Sequence, residues 1–412
     1  MIMDCAKYVG QCVCGREHTL ETLKVVVDYG ALANFEEYMQ ELGLTGRRTV
    51  VYDQMTYKLT EGKHPKADQE IILDPKGLRA EDVIIEKMME DLDKPEVLVA
   101  VGAGTIMDFG RYPAYKLGIP FVAIPTLASS DGFTADICSA IIDGQKKSTA
   151  MCAPALVVAD LDIIKGAPAF LVASGINDIL SKYTSVLDWK FAKIVADEYF
   201  CPVVCDLAET ALNRMRAAAD KYAATGEADH EAMTMAQMES GLTMQLLHNS
   251  RAASGAEHLM AHLVEMSPPG LEEAEGIHGE CVGVGTFATI KEYKRLASMT
   301  PKAKEFEPLS EEWVREKFGD RLTAGIMKEN ENDVLKTFPG QNIVDHWDEI
   351  KAMIDALPSV EEMDALYKGC GAKYLPEHIG IPAEIADDVL DMSSAIRNRL
   401  TLNRAKRLLS FE

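Results

Sequence analysis

The stretch Glu96-Val97-Leu98-Val99-Ala100-Val101-Gly102-Ala103-Gly104-Thr105-Ile106-Met107-Asp108 decides the fold. Glu96 to Val101 is an apolar run of strand length without polar alternation, the pattern of a strand covered on both faces in a parallel sheet. A glycine turn follows at once and opens a helix. Gly102 and Gly104 let a backbone approach a pyrophosphate, and the N–H groups of Gly104, Thr105, Ile106, Met107 and Asp108 at the helix start would bind it with help from the dipole. A glycine pair alone also makes an ordinary strand-to-helix turn, so its place after a buried strand carries the weight.

Working outward, short β-branched runs alternate with helical stretches, the pattern of crossover units on a mainly parallel sheet. Lys24 to Asp28 reads as a strand ahead of a helix over Ala31 to Leu42, and Thr49 to Asp53 as the next strand. Glu70 to Leu73 follows, then a helix over Asp82 to Leu92, with further strands at Phe121 to Ile124 and Leu156 to Ala159. Ile141-Ile142-Asp143-Gly144-Gln145 has the Asp-Gly signature of a tight hairpin. After about Leu161, Ala-, Met-, Leu- and Glu-rich segments of helical periodicity take over, and the second half reads as all helical. Pro268-Pro269-Gly270 and Lys302 to Pro308 read as inter-helix loops. The division expected is 1–163, an α/β Rossmann-like dinucleotide-binding domain, and 164–412, an all-α domain.

The 412 residues carry 47% hydrophobic side chains and a net charge of -23, so a sizeable core is expected and broad attraction to nucleic acid or anionic lipid is opposed. No signal peptide or membrane span is read in the sequence, and a cytoplasmic location is expected. An anionic small substrate needs a local cationic site or a metal against this global charge. Nine scattered cysteines fit reduced thiols. Cys12-Val13-Cys14-Gly15 with His18 hints at a metal clip, but no second cysteine pair follows at zinc-finger spacing, and ordinary packing thiols are the favoured reading.

Three places carry chemistry. Asp53, at a strand end, is placed to accept hydrogen bonds from an adenosine ribose, or else to form a turn. Thr126, Leu127, Ala128 and Ser129, with Ser130 and Asp131, follow the strand ending near Ile124, at the carboxyl edge where open α/β sheets bind ligands. Asp178 in Ser174-Gly175-Ile176-Asn177-Asp178, His258 and His262 in Gly255 to His262, and His278 in Ile277-His278-Gly279-Glu280 form a dispersed set. One oxygen and two nitrogens make a catalytic divalent-metal site with open positions, although spacing does not choose three ligands from four. Leu259 follows His258 where zinc-peptidase chemistry needs glutamate, which argues against that class.

Together these segments resemble the iron-containing alcohol dehydrogenase superfamily, and within it the sn-glycerol-1-phosphate dehydrogenases, over nearly the whole chain. Arg251-Ala252-Ala253-Ser254-Gly255-Ala256-Glu257-His258 looks like that subfamily's signature. The resemblance implies a metal-binding helical domain with the active site in the cleft between the domains. It implies Asp178, His258 and His278 as metal ligands, His262 and Asp131 facing substrate, and Gly104 to Asp108 and Thr126 to Ser129 on the cofactor. The implied reaction is NAD(P)H-dependent reduction of dihydroxyacetone phosphate to sn-glycerol 1-phosphate, with NADH favoured because Asp53 repels a ribose phosphate. A divalent metal, zinc first, with nickel or iron(II) also accepted, would polarise the carbonyl. Lys182 and Arg251 are the cations considered for the phosphate, and a homodimer is the expected assembly. Ala103 departs from the usual triple glycine, and Ala135 stands where many relatives place a cofactor-contacting serine. Dehydroquinate synthases have glutamate where Asp178 stands, and iron alcohol dehydrogenases have a further histidine where Lys182 stands. Glycerol dehydrogenases share the Asp-His-His set and are the nearest enzymatic alternative; a non-catalytic nucleotide sensor is the non-enzymatic one.

Overall fold

The structure, a computed structural model, describes residues 1–142 and 145–412. A seven-stranded sheet forms from β1 (Ile2–Met3), β2 (Lys24–Asp28), β3 (Arg48–Asp53), β4 (Gln69–Leu73), β5 (Val97–Gly102), β6 (Phe121–Pro125) and a last strand, Leu156–Asp160. A two-stranded hairpin, β7 (Ile137–Ile142) and β8 (Gln145–Ala150), precedes that last strand, β9. The spatial order is β1-β2-β9-β6-β5-β3-β4, and every pairing in it is parallel except β1 with β2. The Asp143-Gly144 turn lies outside the described residues; its flanks pair antiparallel with Ile142 opposite Gln145.

Both sheet faces are covered, which is why the strands read as unbroken apolar runs. Val50, Val99, Val122 and Val158 pack on one face, whereas Val51, Leu98, Ala123 and Val157 pack on the other. The chain runs from β3 outward to β4, then returns across β3 to β5 and continues to β6. The carboxyl ends of β3 and β5 therefore flank the reversal point, where open α/β sheets hold their ligands. Asp53 ends β3, Gly102 ends β5, and α1 (Gly104–Leu117) starts there.

The second half is built around α2 (Ala169–Leu180), α3 (Lys182–Ala196), α4 (His230–Leu247), α5 (Ala256–Glu265) and α6 (His278–Ala297). It is not wholly helical. Pro301–Ala303, which overlaps the start of the Lys302 to Pro308 segment read as a loop, pairs antiparallel with Leu409–Phe411. The helix expected over Ala31 to Leu42 is a 3-10 turn, Ala31–Asn34, followed by Phe35–Glu41.

Close approach between elements is set by glycines without room for a side chain. A Cβ on Gly175 of α2 would lie 1.9 Å from the Ala128 carbonyl oxygen, so the loop after β6 rests directly on α2. A Cβ on Gly279 would lie 2.1 Å from the Ser174 oxygen, and one on Gly285 would lie 2.3 Å from the Glu257 oxygen. Thus α6 crosses both α2 and α5 at backbone distance, which carries His278 to Asp178 and His258.

Candidate active site

Asp178 near the end of α2, His258 on α5 and His278 at the start of α6 converge, their ligand atoms all within 4.8 Å of one another. Asp178 Oδ1 faces His258 Nε2 at 3.5 Å and His278 Nε2 at 3.9 Å. Asp178 is fully buried, and this Oδ1 takes no hydrogen bond; such an atom is costly unless something else occupies its lone pairs. Its other oxygen, Oδ2, accepts the Asp131 N–H at 2.9 Å.

Both imidazoles are oriented from behind. His258 Nδ1–H donates to Glu257 Oε1 at 2.8 Å, and His278 Nδ1–H donates to Glu265 Oε1 at 2.9 Å. Each carboxylate fixes a tautomer and turns an Nε2 lone pair toward Asp178, the arrangement found behind histidine ligands of metals. Glu257 is itself fixed by Thr184 Oγ1–H at 2.5 Å and Gly255 N–H at 2.6 Å. A second group, His262, Glu265 and His278, shares His278. Glu265 takes the Nδ1 proton there, so it supports the histidine, and the Asp178 set is the one that fits a divalent cation. Sequence reading missed Glu257 and Glu265 as supports. Glu257 stands directly before His258, and Glu265 lies seven residues after it on the face shared with His262, a spacing that could have marked it.

Lys182 is completely buried, with Nζ 2.8 Å from Asp131 Oδ2 and donating to the Asp178 carbonyl at 2.9 Å. Asp131 Oδ2 also accepts the Ser240 hydroxyl at 2.8 Å. Burial pushes the Asp178 carboxyl up, but the Lys182 ammonium and the neighbouring imidazoles outweigh it and hold the group below the usual carboxylate range. Burial likewise opposes the charge on Lys182, and Asp131 and Asp178 overcome it. Lys182 is thereby committed to the Asp131 carboxylate and the Asp178 carbonyl, beside the charges of both acids, which corrects its reading as a phosphate cation. Arg251 is corrected likewise: its guanidinium pairs with Glu198 at 2.7 Å and donates to the carbonyls of Asp188 and Leu400.

Beside His262 a cavity of about 350 Å³ opens between the β7–β8 hairpin and the helical half, lined by Ser148, Thr149, Met266, Glu329 and Arg397 among others. His262 Nδ1 is buried without a hydrogen-bond partner. Burial, then the charge of Arg397, depresses the protonated form of His262 well below its ordinary range. The Arg397 guanidinium donates to Ser148 Oγ at 3.0 Å, and among the described residues no carboxylate pairs with it. Sequence reading missed Arg397, which lies more than a hundred residues from any motif.

At the reversal point of the sheet, the Met107 N–H is taken by the Ala103 carbonyl, so the donors open at the helix start are those of Gly104, Thr105 and Ile106. Ile106, Met107 and Asp108 are buried, and Asp108 pairs with Arg111 at 3.2 Å. A Cβ on Gly102 would meet Ile106 at 2.7 Å, whereas one on Gly104 would meet open space. The first glycine therefore serves packing, and the second faces the crevice. Asp53 caps the helix Gln54–Leu59, its Oδ1 accepting from Met55 and Thr56 N–H, each at 2.8 Å. Thr126 Oγ1 is buried with no partner, while Leu127, Ala128 and Ser129 stay partly open. Ala135 packs on Met244 and Ala253 in the interior.

Residues 26–168 match the family model described as iron-containing alcohol dehydrogenase. Over 411 residues the chain is 31% identical to the glycerol-1-phosphate dehydrogenase (NAD(P)+) of Geobacillus stearothermophilus, covering 95% of this chain and 94% of that one. The chain belongs to the glycerol-1-phosphate dehydrogenase family. The enzyme of the same name from Halalkalibacterium halodurans is 30% identical, with 98% and 96% covered. An iron-containing alcohol dehydrogenase structure from Corynebacterium glutamicum superposes with a TM-score of 0.61 at 15% identity, covering 95% and 96%, and shares the two-part fold. As a member of this family the chain is an oxidoreductase acting on CH–OH groups. No helix among the described residues is long and apolar enough to cross a membrane.

Proposed function

We propose that the chain catalyses the reversible NAD(P)H-dependent reduction of dihydroxyacetone phosphate to sn-glycerol 1-phosphate. The observation that carries this reading is a cavity placing the Arg397 guanidinium beside His262, next to the Asp178, His258 and His278 donor set. An arginine at the cavity wall, held by Ser148 and without a carboxylate at ion-pair distance among the described residues, suits a phosphorylated substrate better than an unphosphorylated polyol.

Asp178 Oδ1, His258 Nε2 and His278 Nε2 are the atoms that would hold a divalent cation, with Glu257 and Glu265 keeping both imidazoles aimed. When bound, zinc, nickel or iron(II) supplies Lewis-acid polarisation of a carbonyl and NAD(P)H supplies the hydride. Lys182 pairs with the Asp131 carboxylate and donates to the Asp178 carbonyl, and its charge offsets that of both buried acids. Asp131 Oδ1, outside the bonds to Lys182 and Ser240, would orient a substrate hydroxyl. His262 Nδ1 would exchange a hydrogen bond or proton with substrate in the cavity, and Arg397 would hold the phosphate.

For the dinucleotide, Gly104 opens the crevice while Gly102 packs behind it on Ile106, and the N–H groups of Gly104, Thr105 and Ile106 would meet the pyrophosphate. Thr126 to Ser129 line its continuation toward the metal donors. Asp53 Oδ2, outside the helix cap, would accept from the ribose, which favours NADH over NADPH. The reading places the enzyme in the cytoplasm, in keeping with nine unbridged cysteines, as a homodimer that sedimentation would test.

The experiment is removal of metal with a chelator, followed by NADH oxidation with dihydroxyacetone phosphate before and after reloading. Activity lost on removal and restored by zinc, nickel or iron(II) is the expected result; full activity in metal-free protein overturns the reading.

A further inference from the structure

Four other donors converge away from the Asp178 set. A short antiparallel ribbon pairs Gly10–Gln11 with Glu17–His18, Gly10 opposite His18. Its turn holds Cys12 and Cys14, closed by Gly15 N–H donating to the Cys12 carbonyl and Cys12 N–H to the Arg16 carbonyl, both at 3.0 Å. Gly15 adopts φ 86°, which glycine takes without strain. Cys201 arrives from far along the chain, at the residue preceding the helix Pro202–Thr225.

Cys12 Sγ lies 3.7 Å from Cys201 Sγ, Cys14 Sγ lies 3.4 Å from His18 Nε2, and His18 Nε2 lies 3.3 Å from Cys201 Sγ. All four atoms fall within 4.8 Å of one another. A tetrahedral zinc ion, with bonds of about 2.3 Å to sulfur and about 2.0 Å to nitrogen, needs S–S edges of about 3.8 Å and S–N edges of about 3.5 Å. Three of the cluster's six edges, at 3.7, 3.4 and 3.3 Å, lie close to these lengths, and the other three are within 4.8 Å. A disulfide needs its sulfurs at about 2.05 Å and leaves the histidine without a task.

The histidine supplies an independent sign. His18 is buried, and its Nδ1–H donates to the Leu246 carbonyl at 2.8 Å, which fixes the tautomer and turns the Nε2 lone pair toward the sulfurs. Thiols buried only for packing have no need of an oriented imidazole at their centre. The Tyr199 hydroxyl lies 3.1 Å from Cys14 Sγ and can donate to a thiolate there.

We propose that Cys12, Cys14, His18 and Cys201 form a structural Cys3His zinc site, separate from the Asp178 centre. Four protein donors leave no open position, which makes the site structural. Binding displaces the three thiol protons to solvent, and the zinc, three thiolates and neutral imidazole together carry one negative charge. The ion fastens the N-terminal ribbon to the helical half, through Cys201 and through the end of α4 at Leu246. The packing-thiol reading of Cys12 and Cys14 gives way to this one, because Cys201 completes a set that local spacing leaves open.

The test uses full-length protein reconstituted with cobalt(II). A sulfur-to-cobalt charge-transfer band is expected, retained in His258→Ala, because the Asp178 site offers only oxygen and nitrogen, and lost in Cys14→Ser. Because Cys14→Ser can fail to fold, zinc X-ray absorption on the His258→Ala protein gives a second reading. Three sulfurs at about 2.3 Å with one nitrogen at about 2.0 Å support the site. A zinc shell of oxygen and nitrogen alone, no charge-transfer band in the folded wild type, or a Cys12–Cys201 disulfide in freshly purified protein overturns it. The sulfur signature is blind to the Asp178 centre, so failure here is distinguishable from failure of the proposed function.

Discussion

Lys182 Nζ sits 2.8 Å from Asp131 Oδ2 with its ammonium wholly buried, and the same nitrogen donates to the Asp178 carbonyl. One cation thus balances two interior carboxylates. Lys182→Met should cost about 3–5 kcal/mol of stability, the usual cost of stranding a buried charge, together with a loss in kcat. Urea denaturation with steady-state kinetics checks this. Wild-type stability combined with a raised KM for the phosphorylated ketone would return Lys182 to a phosphate-binding role.

On the proposed function, Arg397 would carry the phosphate preference. Arg397→Met should lower kcat/KM for dihydroxyacetone phosphate about 10- to 100-fold, the worth of one charged hydrogen bond, and leave the rate with dihydroxyacetone unchanged. Equal losses on both ketones would show that the guanidinium supports the cavity wall and does not read the phosphate.

Glu265 accepts from His278 Nδ1–H and on the proposed function would act through it. Removing its charge in Glu265→Gln should weaken metal binding about 10- to 100-fold, as losing such supports does elsewhere. Chelator competition measures it, and excess metal should restore most of the activity. Unchanged metal affinity would argue that Glu265 holds only the helix end.

The C-terminal segment is anchored by Asp333, which pairs at 2.8 Å with both Arg404 and Arg407, Arg404 being completely buried. Burial raises the Asp333 carboxyl, but Arg404 foremost, then the Leu335 N–H and Arg407, bring it below the usual value of 3.8. Because the folded value is depressed, the stability from this group is present above the unfolded value and lost as pH falls through the folded one. Asp333→Asn should therefore destabilise by about 3–5 kcal/mol near neutrality, and the gap to wild type should shrink as pH falls below about 4. A gap independent of pH in denaturant titrations would contradict the assignment.

Much of this was legible in the sequence where the signal is local. The apolar run before Gly102, the turn into α1 and the strands at Lys24, Thr49 and Phe121 announce themselves, because a strand buried on both faces leaves an unbroken pattern. Asp178, His258 and His278 stand in short polar, glycine-flanked segments, and the glycines prove to be where backbones touch. What escaped was set by distance along the chain. Cys201 meets Cys12 from 189 residues away, and Arg397 reaches the cavity from the C-terminal region. The pairing of Pro301–Ala303 with Leu409–Phe411 is too short to have a period. The roles of Lys182 and Arg251 depend on partners in space, so sequence could mark them as cations and could not say what they balance.

The measurement that bears most directly on the account is the stereochemistry of the product. The metal-loaded enzyme would reduce dihydroxyacetone phosphate with NADH, and the glycerol phosphate formed would be offered to an sn-glycerol-3-phosphate dehydrogenase. The account predicts rapid turnover to a product this second enzyme leaves untouched, with dihydroxyacetone a much poorer substrate. A product that it oxidises completely, or a preference for dihydroxyacetone, would contradict the account.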